Sequence, residues 1–230
     1  MRKYVFYALG EMALVILGIL IALQVNNWNE DRKSKQEIET IKNNLKVEFD
    51  QNRTVLKERI GLLNMARRHS DKIIELIDQP STELSEEMID SILVHTLYYG
   101  NFNPSNSSIE ELIQVGGLKL LNDQTLKALI FDWLQMLEDT DEDFKNQDQH
   151  ATQSLSPYLS RTISMRNIDL KGFYGISRNR SRLKTGYYDE IFNDYIFENL
   201  MIDHMVWNTI MTRHYEELDQ LASRILDQLD

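Results

Sequence analysis

YVFYALGEMALVILGILIALQV, residues 4–25, decides how the rest of the chain is read, because it is the one stretch composed for lipid rather than for water. From Tyr4 to Leu23 it carries a single ionisable side chain, Glu11, and from Met12 to Leu23 every residue is apolar or small. About 20 such residues rising about 1.5 Å each span a hydrocarbon core of about 30 Å. Tyr4, Phe6 and Tyr7 suit one interfacial belt and Trp28 the other. A cleaved signal peptide would place an Ala-x-Ala-like site after the apolar core, whereas the exit reads IALQVNNWN, so the segment is expected to be retained as a transmembrane helix.

At heptad-like spacing Tyr4, Ala8, Glu11, Val15, Gly18 and Ala22 share one face of that helix, which gathers small residues and the only acid. Two readings of Ala8, Glu11, Val15, Gly18 and Ala22 stand: a packing face for a second helix, or a tolerated composition with Glu11 reaching the headgroups. Arg2 and Lys3 before the span nearly balance Arg32, Lys33 and Lys35 after it, so the positive-inside rule decides little. A span starting at residue 4 and followed by a long domain has the form of a signal anchor. The expected location is a bacterial inner membrane, with the C-terminal domain on the periplasmic side.

The chain has 230 residues, a formal net charge of −11 and no cysteine. Its first 35 residues hold five Lys/Arg and three Asp/Glu, which leaves 20 basic and 33 acidic side chains in the remainder. An acidic domain is a poor nucleic-acid binder, so no nucleic-acid partner is expected. Without cysteine there is no disulfide framework, thiolate metal site or thiol nucleophile. Three prolines and nine glycines leave few helix breakers, and the natural inference is long helices.

Beyond the span, Ile38, Ile41, Leu45, Phe49, Leu56, Ile60 and Leu63 recur at three- and four-residue steps, followed by Ile73, Ile74 and Ile77. This predicts a long helix over about 26–78, with a bend plausible near Gly61 or Asn26-Asn27, ended by Gln79-Pro80. A second helix over about 85–99 would turn Met88, Ile89, Ile92, Leu93, Thr96 and Leu97 inward. GNFNPSNS, residues 100–107, is turn chemistry. Ser107 to Glu110 fits a capping box opening a short helix over about 108–116, with Ile109, Leu112 and Ile113 inward and a stop at Gly116-Gly117. Asn122 is the expected cap of a helix over about 123–158, carrying Leu126, Ile130, Trp133, Leu137, Phe144, Ala151 and Leu155. The last helix, about 194–229, holds Phe197, Met201, His204, Asn208, Met211, Tyr215, Leu218, Ala222, Ile225 and Leu229 in a coiled-coil-like stripe.

Three features invite chemistry. Asp139, Asp141 and Asp143 alternate like calcium ligands, but an EF-hand loop from Asp139 would need glycine at Phe144 and glutamate at His150. Histidines 69, 95, 150, 204 and 214 form neither a His-Glu-x-x-His pair nor a Glu-x-x-His step, so no metal or cofactor is expected. No P-loop, dinucleotide fingerprint or nucleophile elbow occurs, and no enzymatic activity is expected. The third feature is a basic loop over 161–188, in which Arg161, Arg166, Lys171, Arg178, Arg180, Arg182 and Lys184 face one acid, Asp169. The stretch from Glu75 to Ser160 carries 16 acids and three bases, so the loop either packs on its own acidic helices or meets an anionic surface or acidic partner.

The N-terminal block YALGEMALVILGILIALQVNNWNEDRK and the block SSIEELIQVGGLKLLNDQTLKALI, residues 107–130, resemble a family of uncharacterised single-pass membrane proteins found mainly in flavobacteria and their relatives. The resemblance implies a bacterial membrane and a helical extramembrane domain; it supplies no activity and no functional residues.

The expected protein is therefore all-α. A three-residue tail and a transmembrane helix over 4–25 lead into an extramembrane domain, 26–230, in which three long helices form an elongated antiparallel bundle and the two short helices cover one end. Its expected partners are the lipid bilayer and either another protein or a second copy. Two functions follow: a membrane-tethered interaction or scaffold module, or a ligand-sensing or accessory subunit of a membrane complex.

Overall fold

The computed structural model describes residues 2–78, 84–121, 123–169, 179–183 and 188–229, with side chains throughout except at 2–9, 13, 120 and 169. The fold is all-α, and among the described residues there is no strand. The helices are α1 (Arg2–Asp78), α2 (Glu86–Thr96), α3 (Ser107–Gln114), α4 (Gly117–Leu120), α5 (Gln124–His150), α6 (Ser156–Thr162), α7 (Met165–Asp169), α8 (Tyr188–Phe192) and α9 (Tyr195–Leu229). A π-helical turn, Ala151–Leu155, joins α5 to α6.

Helix α1 is a single element of 77 residues, so the apolar N-terminal segment and the first bundle helix are one continuous rod about 115 Å long. It is the one described helix long and apolar enough to cross a membrane, and its apolar window buries nothing inside the fold. Neither Asn26-Asn27 nor Gly61 interrupts it. No described side chain between residues 10 and 37 is buried, whereas Ile38, Ile41, Leu45, Phe49, Leu56, Leu63 and Ala66 are. Composition accounts for the change: residues 26–37 are almost wholly polar, and the three- and four-residue apolar spacing begins at Ile38.

Four segments run alternately away from and toward the N-terminal end of α1. The second is not one helix but α2, a non-helical stretch, α3 and α4 in succession, antiparallel to α1. As α1 residue numbers fall, partner numbers rise: His69 stacks on His95, Arg59 meets Tyr98, Asn52 meets Ser105, and Glu48 meets Ser108. The short helices thus flank α1 along its length rather than covering one end. The buried apolar residues Ile89 and Leu93 in α2 and Ile109 and Leu112 in α3 commit both to that side-by-side packing. The expected inward residues Met88 of α2 and Ile113 of α3 are 52% and 45% exposed, while Asp90 and Val94 of α2 are buried.

Helix α9 runs back along α1, with Arg53 bonded to Asp219, and α5 runs antiparallel to α9, with Asp143 at His214 and Gln147 at Asn208. All the expected α9 stripe residues from Phe197 to Ile225 are buried. In α5 the buried set includes Leu129, Thr140 and Gln147, the last two lying in the stretch that reads as polar.

Local capping departs from expectation at two helices. Asp123, not Asn122, caps α5, its Oδ1 accepting from the Leu126 N–H at 3.0 Å; Asn122 lies outside the described residues. The predicted capping box of α3 does not form. Asn106 is the N-cap residue, but its Oδ1 accepts from Trp133 Nε1 at 3.0 Å rather than from the helix backbone, and Glu48, reaching across from α1, accepts from the Ser108 N–H instead. The expected stop at Gly116 is present in the left-handed conformation, φ 68°, but the chain resumes helix at once as α4. Gly117 is required there for space, since a Cβ would lie 2.6 Å from Ile38 Cδ1 and 2.7 Å from Leu112 Cδ1.

Candidate functional site

Two apolar clusters fill the bundle, and a polar layer separates them. On α1 the first ends at Ala66 and the second begins at Ile73; on α9 the second ends at Met201 and the first begins at Met211. Between these limits lie Ser70, Thr96, Gln147, His204 and Asn208, all buried. Four of the five histidines fall at the same level, one from each segment of the bundle. His69 (α1) stacks on His95 (α2) at 4.8 Å between centroids, and His150 (α5) lies 6.2 Å from His204 (α9). The π-helical turn starts immediately after His150, where the widened backbone carries α5 past this layer.

Bonding within the layer is specific. His204 Nε2 lies 3.0 Å from the Thr96 carbonyl and 3.1 Å from Asn208 Nδ2, and Gln147 Nε2 donates to Asn208 Oδ1 at 2.7 Å. His150 Nε2 meets the Leu200 carbonyl at 3.2 Å, while His69 and His95 each place Nδ1 on the carbonyl one turn back in their own helix. Burial pushes the His204 imidazole down to about 4, the nearby His150 acting in the same direction and the Thr96 carbonyl against it. The ring is therefore neutral at ordinary pH. Because a carbonyl only accepts, Nε2 carries the hydrogen and Nδ1 is a bare acceptor. Thr96 Oγ1, Gln147 Oε1 and His204 Nδ1 are buried and without a hydrogen-bond partner among the described residues.

No group of three or more His, Asp or Glu placed to hold a metal ion occurs among the described residues. Asp139, Asp141 and Asp143 lie on the regular helix α5, where alternate residues point about 200° apart; Asp141 pairs with Lys145 at 2.7 Å and Asp143 with His214 at 2.7 Å. Beside the polar layer a groove of about 870 Å³ opens between α1 and α2, lined in part by His69, Lys72, Glu75, Met88 and Ser91.

A second polar centre joins α1 to the start of α3. The buried Glu48 carboxylate accepts through Oε2 from Ser105 Oγ at 3.1 Å, Ser107 Oγ at 2.6 Å, Ser108 N at 3.1 Å and Ser108 Oγ at 3.1 Å. One turn on, the Asn52 amide bonds both the N–H and the carbonyl of Ser105, at 3.0 and 2.8 Å. The stretch 100–107, which reads as turn chemistry, is thus pinned against α1. Its Phe102 ring sits edge-on to both Trp133 and Tyr215, and Gly100 accepts the Tyr215 hydroxyl at 2.8 Å.

The sequence-predicted site residues fall in two places. Glu11, Val15, Gly18 and Ala22 are exposed on α1, and an added Cβ at Gly18 would meet nothing within 4 Å; Ala8 is helical. Of the basic set, Arg161 lies in α6 and Arg166 in α7, so the expected loop is helical over its first part. Arg161, Arg166 and Arg182 are exposed, and Lys171, Arg178 and Lys184 lie outside the described residues. Arg180 is turned inward: its guanidinium bonds Asp90 and, at 2.9 Å, Glu86 on α2, while the Tyr188 hydroxyl bonds the other Asp90 oxygen. Its charge serves the fold and is withdrawn from the anionic-surface set.

These elements also lie at the end of the bundle remote from the apolar segment. Ile163, Ile168, Tyr188 and Ile191 share a cluster with Ile73 and Leu76 of α1. Ile73 is 48 residues beyond Val25 on one helix, about 70 Å along its axis. The polar layer, by contrast, gave no sequence signal. Its histidines are spread from 69 to 204, and only the antiparallel pairing brings them to one level.

Residues 11–137 match a family of unknown function, DUF6090. The chain belongs to that family. The matched region takes in the apolar segment from Glu11 onward, the whole of the Glu48 and Asn52 junction and the first half of α5, so DUF6090 covers three of the four bundle segments at least in part. Two layer histidines, His69 and His95, lie inside the match; His150 and His204 lie beyond it. No curated protein and no solved structure matches the chain.

Proposed function

We propose that this DUF6090 protein is a non-enzymatic interaction or scaffold module, tethered to a bacterial inner membrane by the first part of α1 and presenting its bundle on the periplasmic side. The observation that carries this reading is the continuity of α1. An apolar segment that buries nothing within the fold passes without a break into the helix that organises the core. Residues 26–37 form a single helical stalk, so the bundle is held about 20 Å beyond the apolar segment in a defined orientation. Such a geometry serves display and spacing. The Ala8/Glu11/Val15/Gly18/Ala22 face offers a second helix a close approach in the bilayer.

Crosslinking of the full-length protein in membranes, followed by affinity purification and mass spectrometry, tests the reading. A stoichiometric partner, or self-crosslinks periodic on the Glu11/Gly18 face, is the expected result; extraction of the protein from membranes by alkaline carbonate would overturn it. One observation favours the second reading, a ligand-sensing or accessory subunit: the groove of about 870 Å³ between α1 and α2 beside the polar layer. On either reading Arg161, Arg166 and Arg182 would serve an acidic partner at the remote end of the bundle.

A further inference from the structure

The polar layer is incomplete as a set of protein groups. Thr96, Gln147 and His204, contributed by the second segment, α5 and α9, each bury a polar atom that no described residue satisfies. They belong to one connected group, because His204 bonds the Thr96 carbonyl and Asn208 joins His204 to Gln147. The leftover atoms cannot be removed by turning the amides. His204 Nε2–H points at the Thr96 carbonyl, so it also faces an Asn208 amide nitrogen at 3.1 Å, donor against donor. Rotating Asn208 mends that contact but turns its oxygen toward the Tyr98 carbonyl, 3.5 Å from the present amide nitrogen, and obliges Gln147 to rotate with it, which leaves the Gln147 nitrogen over instead of the oxygen. In both arrangements one Gln147 atom and His204 Nδ1 remain. The first arrangement demands a donor at Gln147, the second an acceptor; His204 Nδ1 demands a donor throughout, and the Thr96 hydroxyl takes either.

We infer that the layer is a binding site for internal water, held by Thr96 Oγ1, Gln147 and His204 Nδ1 between the two apolar clusters. Water is the smallest molecule that both donates and accepts, and buried polar groups left over by the protein are the sites that retain it. An ammonium-like ligand donates only and fits one amide arrangement; an anion faces a bare imidazole acceptor and fits neither. The π-helical turn next to His150 marks the point where α5 departs from close helical spacing beside the layer.

Nuclear Overhauser spectroscopy of the full chain in lipid nanodiscs tests this, with threonine methyl groups labelled in a deuterated background and the Thr96 methyl as reporter. The expected result is a cross-peak between Thr96 and water with the sign of a long-lived, slowly tumbling molecule, lost in Gln147→Leu. Absence of the cross-peak in the wild type, or its persistence unchanged in Gln147→Leu, overturns the proposal. Should Gln147→Leu fail to fold, Gln147→Met serves in its place and the wild-type spectrum decides by itself whether the layer is dry.

Discussion

Glu48 and Ser108, sixty residues apart, are joined by a bond from a backbone N–H at the start of one helix to a side-chain carboxylate in the middle of another, 3.1 Å long. The carboxylate replaces a local cap and takes three serine hydroxyl bonds as well, so it holds α3 against α1 at one fixed height. Removing it leaves buried donors unpaired. Glu48→Ala is expected to destabilise the fold by about 3 kcal/mol, and Glu48→Gln, which keeps the shape and one acceptor oxygen but removes the negative charge that strengthens the four bonds, by about 1–2 kcal/mol. Denaturant titration of the full chain followed by circular dichroism measures both; equal midpoints for wild type and Glu48→Ala would show that the junction contributes nothing.

His204 makes stability depend on pH. Its folded value of about 4 lies below the ordinary 6.5, so between those values the unfolded chain binds a proton that the folded chain refuses. The stability contributed by this site is complete above about pH 6.5 and is lost as pH falls toward 4, by about 2 kcal/mol at pH 5 and about 3 kcal/mol in full. Denaturation midpoints at pH 7.5, 6 and 5 should decline in wild type and decline less in His204→Gln. Parallel profiles for the two proteins would assign the pH dependence elsewhere.

Arg180 is the partner that makes the burial of Asp90, 1% exposed, tolerable. Arg180→Ala is expected to cost about 3 kcal/mol, because the buried carboxylate loses the counter-charge of the guanidinium. Arg180→Leu combined with Asp90→Leu should recover most of the loss, since an apolar pair carries no unpaired charge. Thermal unfolding of the single and double variants distinguishes this from a general intolerance of change at Arg180.

Three glycines should respond differently to alanine. Gly61→Ala, in an open helical position with nothing within 4 Å of the added carbon, is expected to stabilise by about 1 kcal/mol. Gly116→Ala forces a left-handed residue and costs about 1 kcal/mol. Gly117→Ala drives a methyl into Ile38 and Leu112 and costs about 1–3 kcal/mol, partly relieved by Ile38→Val, which removes the Cδ1 that it meets. Unfolding midpoints of the four variants check the order.

Most of the all-α architecture was legible in the chain because amphipathic spacing is local. The α9 stripe from Phe197 to Ile225 is buried residue for residue as its spacing implies, and the polar change at residue 26 marks where α1 stops suiting lipid. The misreadings share one cause. Met88 looks like a core residue until Arg180 draws Asp90 inward; Ser107 looks like a local cap until Glu48 arrives from α1; 100–107 looks like a free turn until Tyr215 and Trp133 close over Phe102.

What the sequence by itself determined is what neighbouring residues settle between themselves: helix or turn, apolar face or polar face, a segment fit for lipid. The tertiary structure alone decided which faces meet and at what height. It turned the second segment along α1, carried the basic residues about 70 Å from the apolar segment, and gathered His69, His95, His150 and His204 into one layer. The physical reason is that a cross-section through an antiparallel bundle collects residues by height along the axis. Height depends on where each helix begins relative to the others, a quantity fixed by long-range bonds such as Glu48 to Ser108 and Arg53 to Asp219 and by no local rule.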